Sequence, residues 1–147
     1  MELGDDFFMK QALKLAIKAA EADEVPIGAV VVYQNQIIGK GHNQTRVLND
    51  CTAHAEMLAL TAAFNYINSS ILDECTLFVT VEPCAMCAGA IKWARLGRVV
   101  FGAAEPKSGF SKHLPSILHP KTKVEGGVMQ EECSQIMTAF FAAKRAD

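Results

Sequence analysis

Hydrophobic and polar positions change period several times along this chain, and each change marks an element. Phe8, Ala12, Leu15 and Ala19 recur at three- and four-residue steps, which predicts a helix capped by Asp5 or Asp6 and running to about Ala22. Val25-Pro26 breaks that pattern, and the β-branched run Ile27 to Tyr33 reads as a buried strand. Asn35-Gln36 offers a tight turn into a second strand, Ile37 to Gly41, followed by a polar loop over residues 43–51. From Thr52 the pattern is helical again through Met57, Leu60 and Phe64. Thr76 to Val81 reads as a strand, and Pro83 fits the first turn of a helix running to about Ala94. Arg98 to Phe101 is a fourth strand, residues 105–123 look irregular, and Val124 opens an edge strand that Gly126-Gly127 breaks. A last helix is expected from about Glu131 to Lys144. Strands alternating with helices predict an α/β sheet covered by helices and led by a hairpin.

Composition narrows this picture. With 147 residues, half of them hydrophobic and 20% charged, the chain is expected to form one cored domain spanning 1–147, not a disordered or coiled-coil segment. No apolar run approaches a membrane span, and the acidic start MELGDDFF has no basic n-region of a secretion signal, so no membrane partner is expected. Five cysteines, an odd number, then fit a cytoplasmic protein whose thiols stay reduced and serve metal binding or catalysis. The formal charge of −2 excludes a generally basic coat but not a local basic patch.

Two segments carry chemistry: Thr52-Ala53-His54-Ala55-Glu56 and Glu82-Pro83-Cys84-Ala85-Met86-Cys87. Cys84 and Cys87 sit three apart at a predicted helix start, where the helix dipole favours the metal-binding thiolate. One imidazole added to them makes a three-ligand set suited to zinc with a fourth position open to water. His54 and Glu56 would lie about 200° apart on a regular helix, so both reach one water only at the helix entrance, with Thr52 as the cap. A glutamate there can take a proton from the water and pass it to a leaving group. A lone CxxC is equally a redox pair or half of a structural zinc site. Combined with HAE, it is the pattern of zinc deaminases acting on nucleobases.

The chain resembles the cytidine deaminase superfamily and, within it, the bacterial tRNA-specific adenosine deaminases. The resemblance covers nearly the whole chain: VPIGAVV from Val25, His42-Asn43, Thr52 to Glu56, EPCAMCAGAIKWAR from Glu82, VVFGAAEPKSG from Val99, and the tail from Gly127 to Lys144. It implies a three-layer α/β fold, with a central mixed five-stranded sheet covered by helices on both faces. It also implies one zinc per subunit on His54, Cys84 and Cys87, with Glu56 as the catalytic proton shuttle. Asn43, Val25, Pro26 and the backbone around Ala55 would hold the target base. The implied reaction is hydrolytic deamination of adenosine to inosine at the wobble position of a tRNA anticodon, by a homodimer. Read locally, Asn43 could equally be a loop residue capping its neighbours, and Val25-Pro26 simply the entry to a strand. Cys51 stands where relatives usually have proline, Glu105 where aspartate is usual, and the stretch between Gly109 and Val124 is short.

The stretch from Pro106 to Val124 holds Lys107, Lys112, Lys121 and Lys123 with His113 and His119 and no acid, whereas the first 24 residues hold six acids against three lysines. These lysines are candidates for contacting the phosphates of an anticodon stem-loop. Phe110 could stack on a splayed base or anchor the loop to the core. Two other functions compete. One is deamination of a free nucleobase, nucleoside or nucleotide of guanine or cytosine type. The other is a non-catalytic zinc module in which Cys51 closes a Cys3His site, leaving Glu56 without a task. Cys75 and Cys133 read as small buried apolar residues.

Overall fold

The computed structural model describes residues 2–113 and 115–146. In chain order the elements are α1 (Asp5–Glu21), β1 (Gly28–Tyr33), β2 (Gln36–His42), α2 (Ala55–Ile67), β3 (Thr76–Val81), α3 (Ala85–Ala94), β4 (Arg98–Ala103), a short 3-10 turn at Phe110–Lys112, β5 (Lys123–Gly126) and α4 (Gln130–Ala146). The five strands form one sheet in the order β2-β1-β3-β4-β5. β1 runs antiparallel to β2 and β3, while β3, β4 and β5 are parallel, so the sheet is mixed as expected.

Alternation along the central strands divides the core. Val31, Leu77, Val79 and Val99 face α2 and α3, in a cluster that includes Ala59, Leu60, Ala63, Ala88 and Ile91. Val30, Val32, Phe78 and Val100 face α1 and α4, against Phe8, Met9, Ala12 and Cys133. This makes three layers with two separate cores. α2 approaches β2 closely, because Gly39 and Gly41 lie under it. A Cβ at either position would collide with the helix backbone at Ala59 or Ala55. The absent side chains therefore set the height of the start of α2 above the sheet.

Local signals misplaced several boundaries. The hairpin turn falls on Gln34-Asn35, both at positive φ (50° and 64°), the geometry of a type I′ turn, and not on Asn35-Gln36. Neither Asp5 nor Asp6 caps α1; the cap position is Gly4, without a side-chain bond. The Asp5 carboxylate is instead taken by Arg98 at 2.9 and 2.6 Å, which ties the start of α1 to β4. Thr52 does not cap α2, since its N–H and hydroxyl both turn back to Asp50 (2.8 and 2.7 Å) and the cap position is His54. Pro83 likewise lies just outside α3, whose cap position is Cys84. β4 runs two residues further than expected, to Ala103. Among the described residues no helix is long and apolar enough to cross a membrane.

The guanidinium of Arg98 holds the Asp5 carboxyl below its ordinary value, against the opposing effect of partial burial. The sign follows directly. The bridge stabilises fully above the ordinary aspartate range and is lost as pH falls through the lowered folded value. Asp5→Asn should lower Tm at pH 7 by about 2–4 °C, the equivalent of about 1 kcal/mol. In thermal melts across pH, that difference should shrink towards zero as pH falls below the ordinary aspartate range.

Candidate active site

Strand directions gather the candidate residues at one end of the sheet. β3 ends at Val81, and Glu82-Pro83 carries the chain to Cys84 at the entrance of α3. β1 is antiparallel to β3, so its first residues lie beside that end; the Gly28 N–H donates to the Thr80 hydroxyl at 3.2 Å. The end of β2 lies beside the start of β1, with His42 paired to Gly28. Val25-Pro26 and Asn43 therefore meet where β3 delivers Cys84. Pro26 is buried, Val25 half-buried, and Asn43 is buried with its N–H on the Ile27 carbonyl at 3.1 Å. Ala55, the first residue of α2, is fully buried.

His54 and Cys84 occupy equivalent places, each extended and each immediately ahead of a helix. His54 Nδ1 lies 3.7 Å from Cys84 Sγ and 3.5 Å from Cys87 Sγ, and the three ligand atoms all fall within 4.8 Å of one another. Donors around a tetrahedral zinc with ordinary bond lengths are separated by roughly 3.5–3.8 Å, so this set fits zinc in both spacing and chemistry. The ring of His54 is also held by a backbone hydrogen bond to Cys51. A bond of that kind fixes the tautomer that leaves Nδ1 facing the sulfurs.

Electrostatics at the cluster favour one thiolate. Cys84 is pulled down to about 3, first by its hydrogen bond with Cys87 and then by its contact with the His54 ring, against the effect of burial. Cys87 moves the other way, because it donates to Cys84 and is buried. The negative sulfur in turn raises His54. Two helix N-termini point at the cluster and favour negative charge there. Glu56, in the first turn of α2, is 3% exposed, and burial pushes its carboxyl up to about 7. It is two residues from His54, yet the two share a site because His54 is outside the helix and the 100° step does not apply between them.

The cysteines separate as follows. Cys51 is exposed and is not in the cluster found among the described residues. Cys75 and Cys133 are buried, one in each core, and burial raises both thiols, to about 11 and about 12.

The lysine-rich segment does not form one surface. Lys107 and Lys112 are exposed on the loop leaving β4, at the same end of the sheet as Cys84. Lys123 pairs with Arg98, which pairs with Thr76, so Lys121 and Lys123 lie at the opposite end. Six strand residues separate the two ends by roughly 17–20 Å. Lys121 and Lys123 are therefore removed from the set that shares the site's mouth. Phe110 is removed as a stacking platform because it is 5% exposed and packs edge-on against Phe101 at 6.3 Å. It is the loop's anchor.

Two side chains to which the sequence assigns no role hold the rim. Glu24 is 1% exposed, and its carboxylate accepts the N–H groups of Arg46 (3.1 Å) and Val47 (2.8 Å), fixing the loop after Asn43. Glu82 is also buried, with both carboxylate oxygens engaged by the loop after β4. α4 adds Met137, Phe141 and Arg145 to a cleft of about 530 Å³ shared with Glu105 and Lys107.

The family model that matches residues 4–145 describes MafB19-like deaminases. The tRNA-specific adenosine deaminase of Bacillus subtilis (strain 168) is 43% identical over 146 residues, covering 96% of this chain and 91% of the relative. A solved structure from studies of A-to-I editing by tRNA:A34 deaminases is 40% identical, with a TM-score of 0.83, over 88% of this chain and 98% of the other. The structure of a Bacillus subtilis guanine deaminase is 39% identical, with a TM-score of 0.68, over 71% of this chain and 67% of the other. Taken with the paired helix entrances and their three ligands, these likenesses assign the chain: it belongs to the MafB19-like deaminases and, among them, to the tRNA-specific adenosine deaminases.

Proposed function

We propose that this protein hydrolyses adenosine to inosine at the wobble position of a tRNA anticodon, with residues 1–147 working as one deaminase domain. The observation that carries the reading is the buried Glu56 carboxyl beside the His54, Cys84 and Cys87 cluster, in a chain 43% identical to a tRNA-specific adenosine deaminase. His54, Cys84 and Cys87 would hold one zinc ion. Zinc held there lowers the pKa of water enough to supply a nucleophile near neutral pH.

The chain's own residues supply the rest. Glu56 takes the proton that the attacking water loses and delivers it to the ring nitrogen beside the amine-bearing carbon. The same carboxylate then takes the remaining proton of the added oxygen and passes it to the departing amine, so that adenosine and water become inosine and ammonia. Burial raises this carboxyl, which favours its acting as an acid as well as a base. Asn43, its backbone tied to Ile27, orients the base against the Val25-Pro26 wall and the backbone at Ala55. An adenine cannot be attacked while stacked and paired, and an anticodon loop offers it unpaired at low cost.

The rim favours RNA over a free base. Lys107, Lys112 and Arg145 provide cations at this end of the molecule, and Phe141 is 41% exposed in the cleft beside Lys107. A homodimer fits α3, which exposes Met86 (36%) and Trp93 (78%) beside open space at Gly89. Five free cysteines and a tRNA substrate suit the cytoplasm. The likeness to a guanine deaminase structure makes guanine deamination the second reading.

One assay separates the two. Purified protein is incubated with an anticodon stem-loop carrying adenosine at the wobble position, with free adenosine, and with guanine. Inosine at that position is the expected product, and conversion of guanine alone would replace the first reading by the second. Glu56→Ala should keep its fold and metal but lose at least about a hundredfold in turnover. Charge gives a further test by salt titration of stem-loop binding. Lys107→Ala with Lys112→Ala should weaken binding and flatten its salt dependence, by about 0.7 in slope for each phosphate no longer neutralised. Lys121→Ala with Lys123→Ala should leave that slope unchanged.

A further inference from the structure

Glu82 joins the metal-ligand segment to the loop that carries the site's cations. It stands between the end of β3 and Pro83-Cys84, is 5% exposed, and its own N–H donates to the Ala103 carbonyl at the end of β4 at 2.8 Å. Its side chain spends every bond on one loop, residues 104–112. Oε1 accepts the Glu105 N–H at 3.0 Å, and Oε2 accepts both the N–H (2.9 Å) and the hydroxyl (2.6 Å) of Ser111. Gly109 lies directly against the carboxyl group, where a Cβ would land on Cδ and Oε2. The same loop meets the ligand segment through backbone as well. Phe110 N–H donates to the Pro83 carbonyl at 2.9 Å, and Gly109 bridges to Cys84.

We propose that Glu82 is a positioning residue for the RNA substrate. It holds the loop from Glu105 to Lys112 in a fixed place relative to Cys84, so that Lys107 and Lys112 meet the RNA backbone while the target base is in the pocket. The inference rests on the RNA-deaminase reading above. Its physical basis is the number and placement of acceptors. Three donors converge from two points of the loop, and a carboxylate can accept on both oxygens at once. A glutamine amide has the same shape but must turn an NH2 group towards either the Glu105 or the Ser111 N–H, leaving a buried donor facing a donor. The metal ligand itself is secured independently, because Cys84 and Cys87 are fixed by the first turn of α3, where the Ala88 N–H reaches the Cys84 carbonyl at 2.9 Å. Removing the clamp should therefore weaken substrate binding and spare the metal.

The test compares wild type, Glu82→Gln, Ser111→Ala and Ser111→Thr as zinc-loaded proteins. Four quantities are read: metal content, amide exchange at Glu105 and Ser111, stem-loop Kd by fluorescence anisotropy, and KM with kcat for inosine formation. Glu82→Gln should keep its metal, lose protection at both amides, and raise Kd and KM by about tenfold with kcat within about threefold, the scale expected when partly buried hydrogen bonds to a carboxylate are broken. Ser111→Ala should show a smaller shift in the same direction, and Ser111→Thr, which keeps the hydroxyl, should fall nearer the wild type. Ser111→Ala carries the comparison if Glu82→Gln does not fold. Unchanged Kd and KM would overturn the proposal, as would loss of metal with a collapse of kcat. A wild type that binds the stem-loop without forming inosine refutes the deaminase reading and leaves the Kd comparison to judge Glu82. A wild type that does not bind it refutes both.

Discussion

Two helices enter this structure at the same point, and that convergence governs the rest. His54 stands ahead of α2 and Cys84 ahead of α3, and their ligand atoms approach to 3.7 Å. Helix starts concentrate unpaired N–H groups and positive dipole ends, so bringing two together creates a place that favours thiolates and a metal. The sheet makes the meeting possible. β3 delivers Cys84 at its end, while α2 can settle low over β2 only because Gly39 and Gly41 carry no side chain beneath it. Glu56 is buried in the first turn of the same helix, beside the cluster.

Much of this was legible from residue order. The strand at Thr76–Val81, the helix after the CxxC pair and the alternation of strands and helices all follow from periodicity, because packing faces repeat at two or 3.6 residues. What local signals could not supply was tertiary use of a residue. Thr52 is the better intrinsic cap, but its hydroxyl is taken by Asp50, and His54, which meets Cys84 and Cys87, stands at the cap. Asp5 has the right chemistry to cap α1, yet a bidentate pairing with Arg98 is the stronger use of its carboxylate.

The charged segment shows the same limit more sharply. Lys107 and Lys121 are neighbours in composition, but a parallel strand connection carries the chain from one end of the sheet to the other between them. Counting charge in sequence therefore merged two surfaces into one. The buried glutamates were hidden for a different reason. Glu24 and Glu82 look like any surface acid by type, and only their company marks them, each shortly ahead of a proline at the edge of an apolar strand. Both are fully engaged with backbone N–H groups, and each fixes one loop at the mouth of the site.

His54, Cys84 and Cys87 come together without Cys51, an arrangement that fits an open zinc site and not a closed structural one. Zinc K-edge X-ray absorption on the purified protein tests it most directly, because sulfur and nitrogen or oxygen scatterers lie at distinguishable distances of about 2.3 and about 2.0–2.1 Å. One zinc per chain with two sulfur scatterers and two light ones is the expected result. A shell of three sulfurs and one nitrogen would mean that Cys51 closes the site, and would contradict it.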